Sequence, residues 1–228
     1  MVPMTKRLSP WLCHPGWMAE GLAAEDESYR ILRSRIDLSR LPPLSRMVTE
    51  HVIVASADFD YATDLLCDEQ VLATASAELA AGAAVVADSA MVAAGISGYP
   101  VICKSGEALA ARLARTAGIS LPAAAVRLAF GQAGPGAIWV VGCEPAALSE
   151  VMARNVQPSL IIGLPAGLAG AAEAKDAVRA SGLPALTNVS EKGGAAVAAA
   201  AFCALATALA ASDGPDATTL NSRRSGRS

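Results

Sequence analysis

The chain has 228 residues and a formal net charge of −3, with 53% hydrophobic residues and only 4% aromatic ones. Mild acidity argues against nucleic acid as the main partner, and the length suits one large α/β domain or two small ones. A core made mainly of Ala, Val, Leu and Ile depends on many small contacts rather than a few large anchors.

Five cysteines, Cys13, Cys67, Cys103, Cys143 and Cys203, are scattered and show no CxxC spacing. That usage fits a reduced, cytoplasmic location. Neither of the two histidines stands at ligand spacing from a cysteine pair, which argues against a zinc site, and no metal is expected. Residues 1–24 read as an N-terminal extension without a continuous apolar stretch, so no secretory signal is expected.

In chain order, "DESYRILRSRI" (26–36) places Tyr29, Leu32 and Ile36 at helical spacing. Pro42 and Pro43 break that helix. "HVIVAS" (51–56) reads as a strand opening onto the acidic turn Asp58-Phe59-Asp60-Tyr61. Asp68 is expected to cap a helix over 69–81 that closes at Gly82. "AAVVADSAM" reads as a buried strand ending at Asp88, and "YPVICKS" as a second short one.

Helices are predicted at 106–117 and 122–132, a strand at 137–141 and a proline-started helix at 145–154. A strand at 159–163, a helix at 168–181, a short strand at 185–189 and an Ala-rich helix over 193–211 complete the body. The last segment is long enough for a membrane span, but its alanines are weakly apolar and no aromatic belt accompanies it. A packed internal helix is expected, and no membrane. Short strands alternating with helices imply an α/β fold: one domain, 25–211, with a mostly parallel sheet covered by helices on both faces. The polar tail 212–228, with its basic run Arg223–Arg227, is expected to be disordered.

Three glycine-rich turns follow strands: "GCEPAAL" (142–148), "GLPAGLAG" (163–170) and "EKGGAAVA" (191–198). Backbone N–H groups at such helix starts favour anions. Three turns and Lys192 together suit a ligand with several negative groups, although glycine at a strand end also serves tight turns. Asp88 could orient a ligand or cap a turn; Met91 could line a cavity or fill the core. His51 could act as an acid or base, or serve as a structural hydrogen-bonding group.

"ESYRILRSRIDL", "HVIVASADFDYA", "ADSAMVAAGI", "VGCEPAAL", "IIGLPAGLAGAAEAK" and "EKGGAAVAAAA" stand in the order and spacing of the precorrin-8X methylmutase family, also called cobalt-precorrin-8 methylmutases. The resemblance spans roughly residues 25–205. It implies an isomerase of cobalamin biosynthesis that moves a methyl group from C11 to C12 of a tetrapyrrole bearing several carboxylates. It also implies no added cofactor and a homodimer with sites near the subunit interface. Carried over position by position, it points to Ser28, Arg33, Asp88, Ser89, Gly163, Gly167, Lys192, Gly193 and Gly194 as substrate-binding residues.

The family's catalytic histidine closes a pattern "RVIH". Aligned here the pattern is "HVIV": His51 holds the arginine position and Val54 the histidine position. Valine has no proton to give. The family's "TRSAAA" has become "SLPAAA", with Leu121 for an arginine, and Cys143-Glu144 replace Asn-Ala. "GGS" has become Gly193-Gly194-Ala195, while Pro165 and Lys175 are kept with the glycines.

Two readings therefore stay open from the resemblance: a methylmutase with a substitute acid, or an impaired paralogue that binds a corrinoid or partners an intact enzyme. A third, an unrelated α/β enzyme acting on a phosphorylated metabolite, rests on the glycine turns alone. His51 can replace the missing acid only if residues 51–54 are helical. On a strand they face opposite sides; on a helix residues i and i+3 share a face.

Overall fold

The computed structural model describes residues 17–212 apart from 97, 155 and 156, with side chains from 26 to 209. Residues 1–16 with Cys13, and the tail 213–228 with its basic run, lie outside the described residues.

Six strands form one sheet in the order β1-β6-β5-β4-β2-β3. These are β1 (Leu65–Leu66), β2 (Val85–Ala87), β3 (Val101–Cys103), β4 (Ile138–Val141), β5 (Leu160–Gly163) and β6 (Ala185–Asn188). Five run parallel. The two-residue edge strand β1 pairs antiparallel, Leu65 with Asn188 and Leu66 with Thr187. Alternate side chains feed two separate cores, as the pleat requires. Val85, Ala87, Ile138, Val140, Leu160 and Ile162 face one core. Val86, Trp139, Val141 and Ile161 face the other.

The first core lies under α1 (Trp17–Arg35), α2 (Pro43–Ser56), α3 (Tyr61–Asp64), α4 (Glu69–Ala80), α5 (Ala90–Gly95) and α10 (Ala195–Ser212). The second lies under α7 (Leu121–Ala133), α8 (Pro145–Ala153) and α9 (Ala171–Ala180), with α6 (Ala108–Ala117) beside α7. The expected doubly covered, mostly parallel sheet is the observed one. The Ala-rich helix α10 is buried through Ala198, Ala201, Phe202, Ala204 and Leu205. Its small side chains let it pack extensively on α2. Among the described residues no helix is long and apolar enough to cross a membrane.

The reading of 51–56 as a strand is wrong: this segment is the C-terminal half of helix α2. Its buried positions Ser45, Val48, Thr49, Val52 and Ile53 recur at helical spacing. The run Val52-Ile53-Val54 is apolar throughout because α2 is packed among α1, α4 and α10. Burial of a side chain such as Val52 or Ile53 stabilises the helix by about 1.5–3 kcal/mol each. Pro43 starts it at a position where no N–H is needed. The next two amides, Leu44 and Ser45, donate to the carboxylate of Glu69 at 2.9 Å each, so the cap comes from another helix. Asp68 caps α4 as expected, accepting from Gln70 and Val71.

Candidate active site

The exits of the parallel strands gather the three glycine turns at one edge of the sheet, where open α/β sheets place ligands. Several of the turns' amides are already taken by the chain itself. After β2, Asp88 is buried and its Oδ2 accepts the backbone N–H of Cys143 at 2.9 Å and of Glu144 at 3.4 Å. The start of the β4–α8 turn is thus filled by the chain's own carboxylate. Burial pushes the Asp88 carboxyl up, against the N–H donors that pull it down. Ser89 caps α5 by accepting from Val92, and its Oγ lies 2.9 Å from Cys143 Sγ.

The other two turns interlock. Gly167 donates its N–H to Glu191 O at 3.0 Å, and Gly194 donates to Leu164 O at 2.8 Å. Gly193, at φ +150°, lies so close to the β5 exit that a Cβ would fall 2.2 Å from Leu164 O. Gly163 packs under Leu148, with a Cβ there falling 3.0 Å from a leucine methyl. These glycines satisfy a close loop-to-loop approach, and the anion-binding amides expected at Gly167 and Gly194 are already donated.

Lys192, expected to meet a ligand anion, is held between Asp58 at 2.7 Å and Asp60 at 2.6 Å. Donating hydrogen bonds to those two carboxylates pushes its ammonium pKa up, and the lysine in turn holds Asp58 down. The acidic turn after α2 and the last glycine turn are therefore one unit. Beneath them Lys175 Nζ donates to Asn188 Oδ1 at 2.9 Å and to the carbonyls of Ser190 and Lys192. Asp64 accepts from Asn188 Nδ2, from Ser190 Oγ and from the N–H groups of Val189 and Ser190. Asn188, Asp64 and the role of Lys175 were missed in the sequence. One signal was present: Lys175 falls in the buried helical pattern Ala171, Ala174, Lys175, Val178.

Helices α1 and α2 carry the remaining candidates. Arg33 grips the buried Glu50 with both Nε at 3.1 Å and Nη2 at 2.7 Å, yet its side chain is 64% exposed. Its guanidinium also stands 5.6 Å from the Tyr29 ring centre, a cation–π distance. The Tyr29 ring packs against His51 at 5.4 Å. His51 Nδ1 lies 2.9 Å from Met47 O, which can only accept, so Nδ1 carries a hydrogen in this contact. His51 and Val54 are both half-buried and three residues apart on a helix, hence on one side of it. Ser28, half-buried on α1, lies one residue before Tyr29.

The structure thus divides the expected substrate-binding residues. Asp88, Ser89, Gly163, Gly167, Lys192, Gly193 and Gly194 line the strand exits, while Ser28 and Arg33 sit with His51 and Val54 on the helix pair. Leu121 opens α7 on the opposite face, and Met91 is 67% exposed on α5 rather than in the core. A cleft of about 560 Å³ borders Arg33, Arg46, Asp37 and Glu50. Among the described residues, no group of three or more His, Cys, Asp or Glu side chains is placed to hold a metal ion.

The precorrin-8X methylmutase family matches residues 23–208. The chain is 34% identical over 203 residues to the precorrin-8X methylmutase of Pseudomonas aeruginosa, covering 84% of this chain and 97% of that protein. It is 32% identical over 182 residues to the cobalt-precorrin-8 methylmutase of Salmonella typhimurium, covering 77% and 87%. The crystal structure of the precorrin-8X methylmutase from Thermus thermophilus superposes with a TM-score of 0.74 at 27% identity, over 83% of this chain and 98% of that one.

Proposed function

From membership of the precorrin-8X methylmutase family, to which this chain belongs, we propose that it catalyses the C11-to-C12 methyl shift on a precorrin-8X-type tetrapyrrole with His51 as proton donor. The observation that carries the assignment of His51 is the helical state of residues 43–56. The turn of helix brings the imidazole to the side on which Val54 has lost one, with Cβ atoms about 5–6 Å apart at such spacing. A methyl shift around a conjugated ring needs its electron flow polarised, and a general acid held against the ring supplies that. The Met47 carbonyl orients the ring through Nδ1, and Nε2 then carries the mobile proton.

The substrate's carboxylate arms meet Arg33 through the guanidinium nitrogen that Glu50 does not take. This differs from the expectation that Lys192 and the glycine turns hold them, because Lys192 and the amides of Gly167 and Gly194 are already paired. The protein works in the cytoplasm and without added cofactor, and a second copy of the chain covers the strand-exit edge. Leu168, 96% exposed in the β5–α9 turn, and Val189, 52% exposed after β6, support an interface there.

The reading is tested by incubating purified protein with precorrin-8X and following the absorbance of hydrogenobyrinate. Conversion that falls in His51→Gln supports it. No conversion at high enzyme concentration refutes catalysis, and calorimetric titration with hydrogenobyrinate then separates a binding protein from one that ignores corrinoids. The dimer is checked by light scattering, with Leu168→Asp expected to shift the mass toward the monomer.

A further inference from the structure

We propose that Lys175 is a positioning residue whose ammonium sets the conformation of residues 189–194, so that loss of its proton releases this loop together with the Asp58–Lys192–Asp60 contact. Lys175 is fully buried, and its three N–H bonds match three acceptors: Asn188 Oδ1, Ser190 O and Lys192 O. A neutral amine has two N–H bonds and a lone pair. One carbonyl would then face that lone pair without a donor, and two of the three acceptors belong to the loop backbone. What the loop carries depends on this clasp. Lys192 Nζ reaches Asp58 and Asp60, Gly194 N–H reaches Leu164 O, and Glu191 O receives Gly167 N–H.

The charged groups around Lys175 come from each neighbouring element. Asp64 at the end of α3 and Glu191 in the loop favour its charge, and Arg179 one turn along α9 opposes it. Arg179 is itself tied to Asp176, Thr187 and the Asn188 carbonyl. On α8, Glu150 is tied to Arg127 and Arg154. Asp58 and Asp60 are taken by Lys192. Burial outweighs the favourable charges and lowers the Lys175 pKa to about 8, so the clasp changes state just above neutral pH. The sign for stability follows: the fold binds fewer protons than the unfolded chain between about 8 and the ordinary lysine value. Lys175 thus adds stability as pH rises through that window, while the loop it held loosens.

The proposal does not depend on which reaction the protein catalyses. Its test uses the full chain labelled with ¹³C-lysine, whose four lysines give four side-chain signals. The Lys175 signal is assigned from Lys6→Arg, Lys104→Arg and Lys192→Arg, which leave the clasp intact. It should titrate with a midpoint near 8. In parallel, amide exchange of residues 189–194, corrected for base catalysis, should accelerate about tenfold between about pH 7 and about pH 9.5, with β4 unaffected. A midpoint at the ordinary lysine value overturns the proposal. So does titration without loosening of the loop, which would leave Lys175 a merely structural residue.

Discussion

The β6–α10 loop and the helix pair α1–α2 both carry residues expected of a ligand site, and they use them differently. Around the loop three charges meet partners from the chain itself: Lys175 with Asn188 and two carbonyls, Lys192 with two aspartates, Asp64 with four donors. On the helices, Arg33 gives Nε and Nη2 to Glu50 and His51 gives Nδ1 to Met47, which leaves Nη1 and Nε2 for something else. Lysine and several glycine amides at the strand exits therefore help to build the frame. We place the ligand contact of the proposed reaction on α1 and α2.

Substitutions in the two regions sharpen this contrast. The largest loss of stability is expected for Gly193→Ala, where the new Cβ meets Leu164 O at 2.2 Å. Overpacking and a strained backbone together should cost about 3–5 kcal/mol in urea unfolding. Gly182→Ala, also at positive φ but with nothing within 4 Å, should cost about 1–2 kcal/mol. Equal costs would mean that the interlocked loops are not tightly packed. On α2, Ile53→Ala should cost about 2–5 kcal/mol, and the half-buried Val54→Ala distinctly less. The reverse order would contradict the helical assignment.

Acid titration probes the loop network. Burial raises Asp64, but hydrogen bonds from Ser190, Asn188 and Val189 more than offset it and hold the carboxyl below its usual range. The stability this gives is present above the unfolded value of about 3.9 and is lost as pH falls through the lower folded value. Denaturation at a series of acid pH values should show that loss in the wild type and a flatter limb in Asp64→Asn.

The smallest effect is expected for Lys192→Met. Its pairs with Asp58 and Asp60 lie at the surface, where ion pairs contribute little. Hydrogenobyrinate affinity measured by calorimetry should barely change. A loss of about tenfold or more, or about 1.4 kcal/mol, would make Lys192 a ligand residue after all.

Most of the fold was legible because its strands are short apolar runs between helices with clear caps, such as Asp68 before α4. The segment 51–56 misled for a physical reason. A short run of β-branched residues reads the same in a buried strand and in a helix covered on several sides. The features that settle it, the Glu69 carboxylate on the α2 N-terminus and the packing of α10, come from distant parts of the chain. The loop-to-loop bonds of the glycine turns were not legible either: nothing local in "GLPAGLAG" shows that Gly167 will donate to Glu191. Asp88 Oδ2 accepts from a turn more than fifty residues away rather than from the one that follows it.

Helix α2 is the hinge of the functional account, because it alone brings His51 to the side of Val54. The most direct measurement is the rate of precorrin-8X conversion in His51→Gln, and in that variant with Val54→His added. The single variant should lose about 10²–10⁴-fold in rate at unchanged melting temperature, and the added histidine should restore much of it. Wild-type turnover in His51→Gln would contradict the account, and the proton would then have to come from another group.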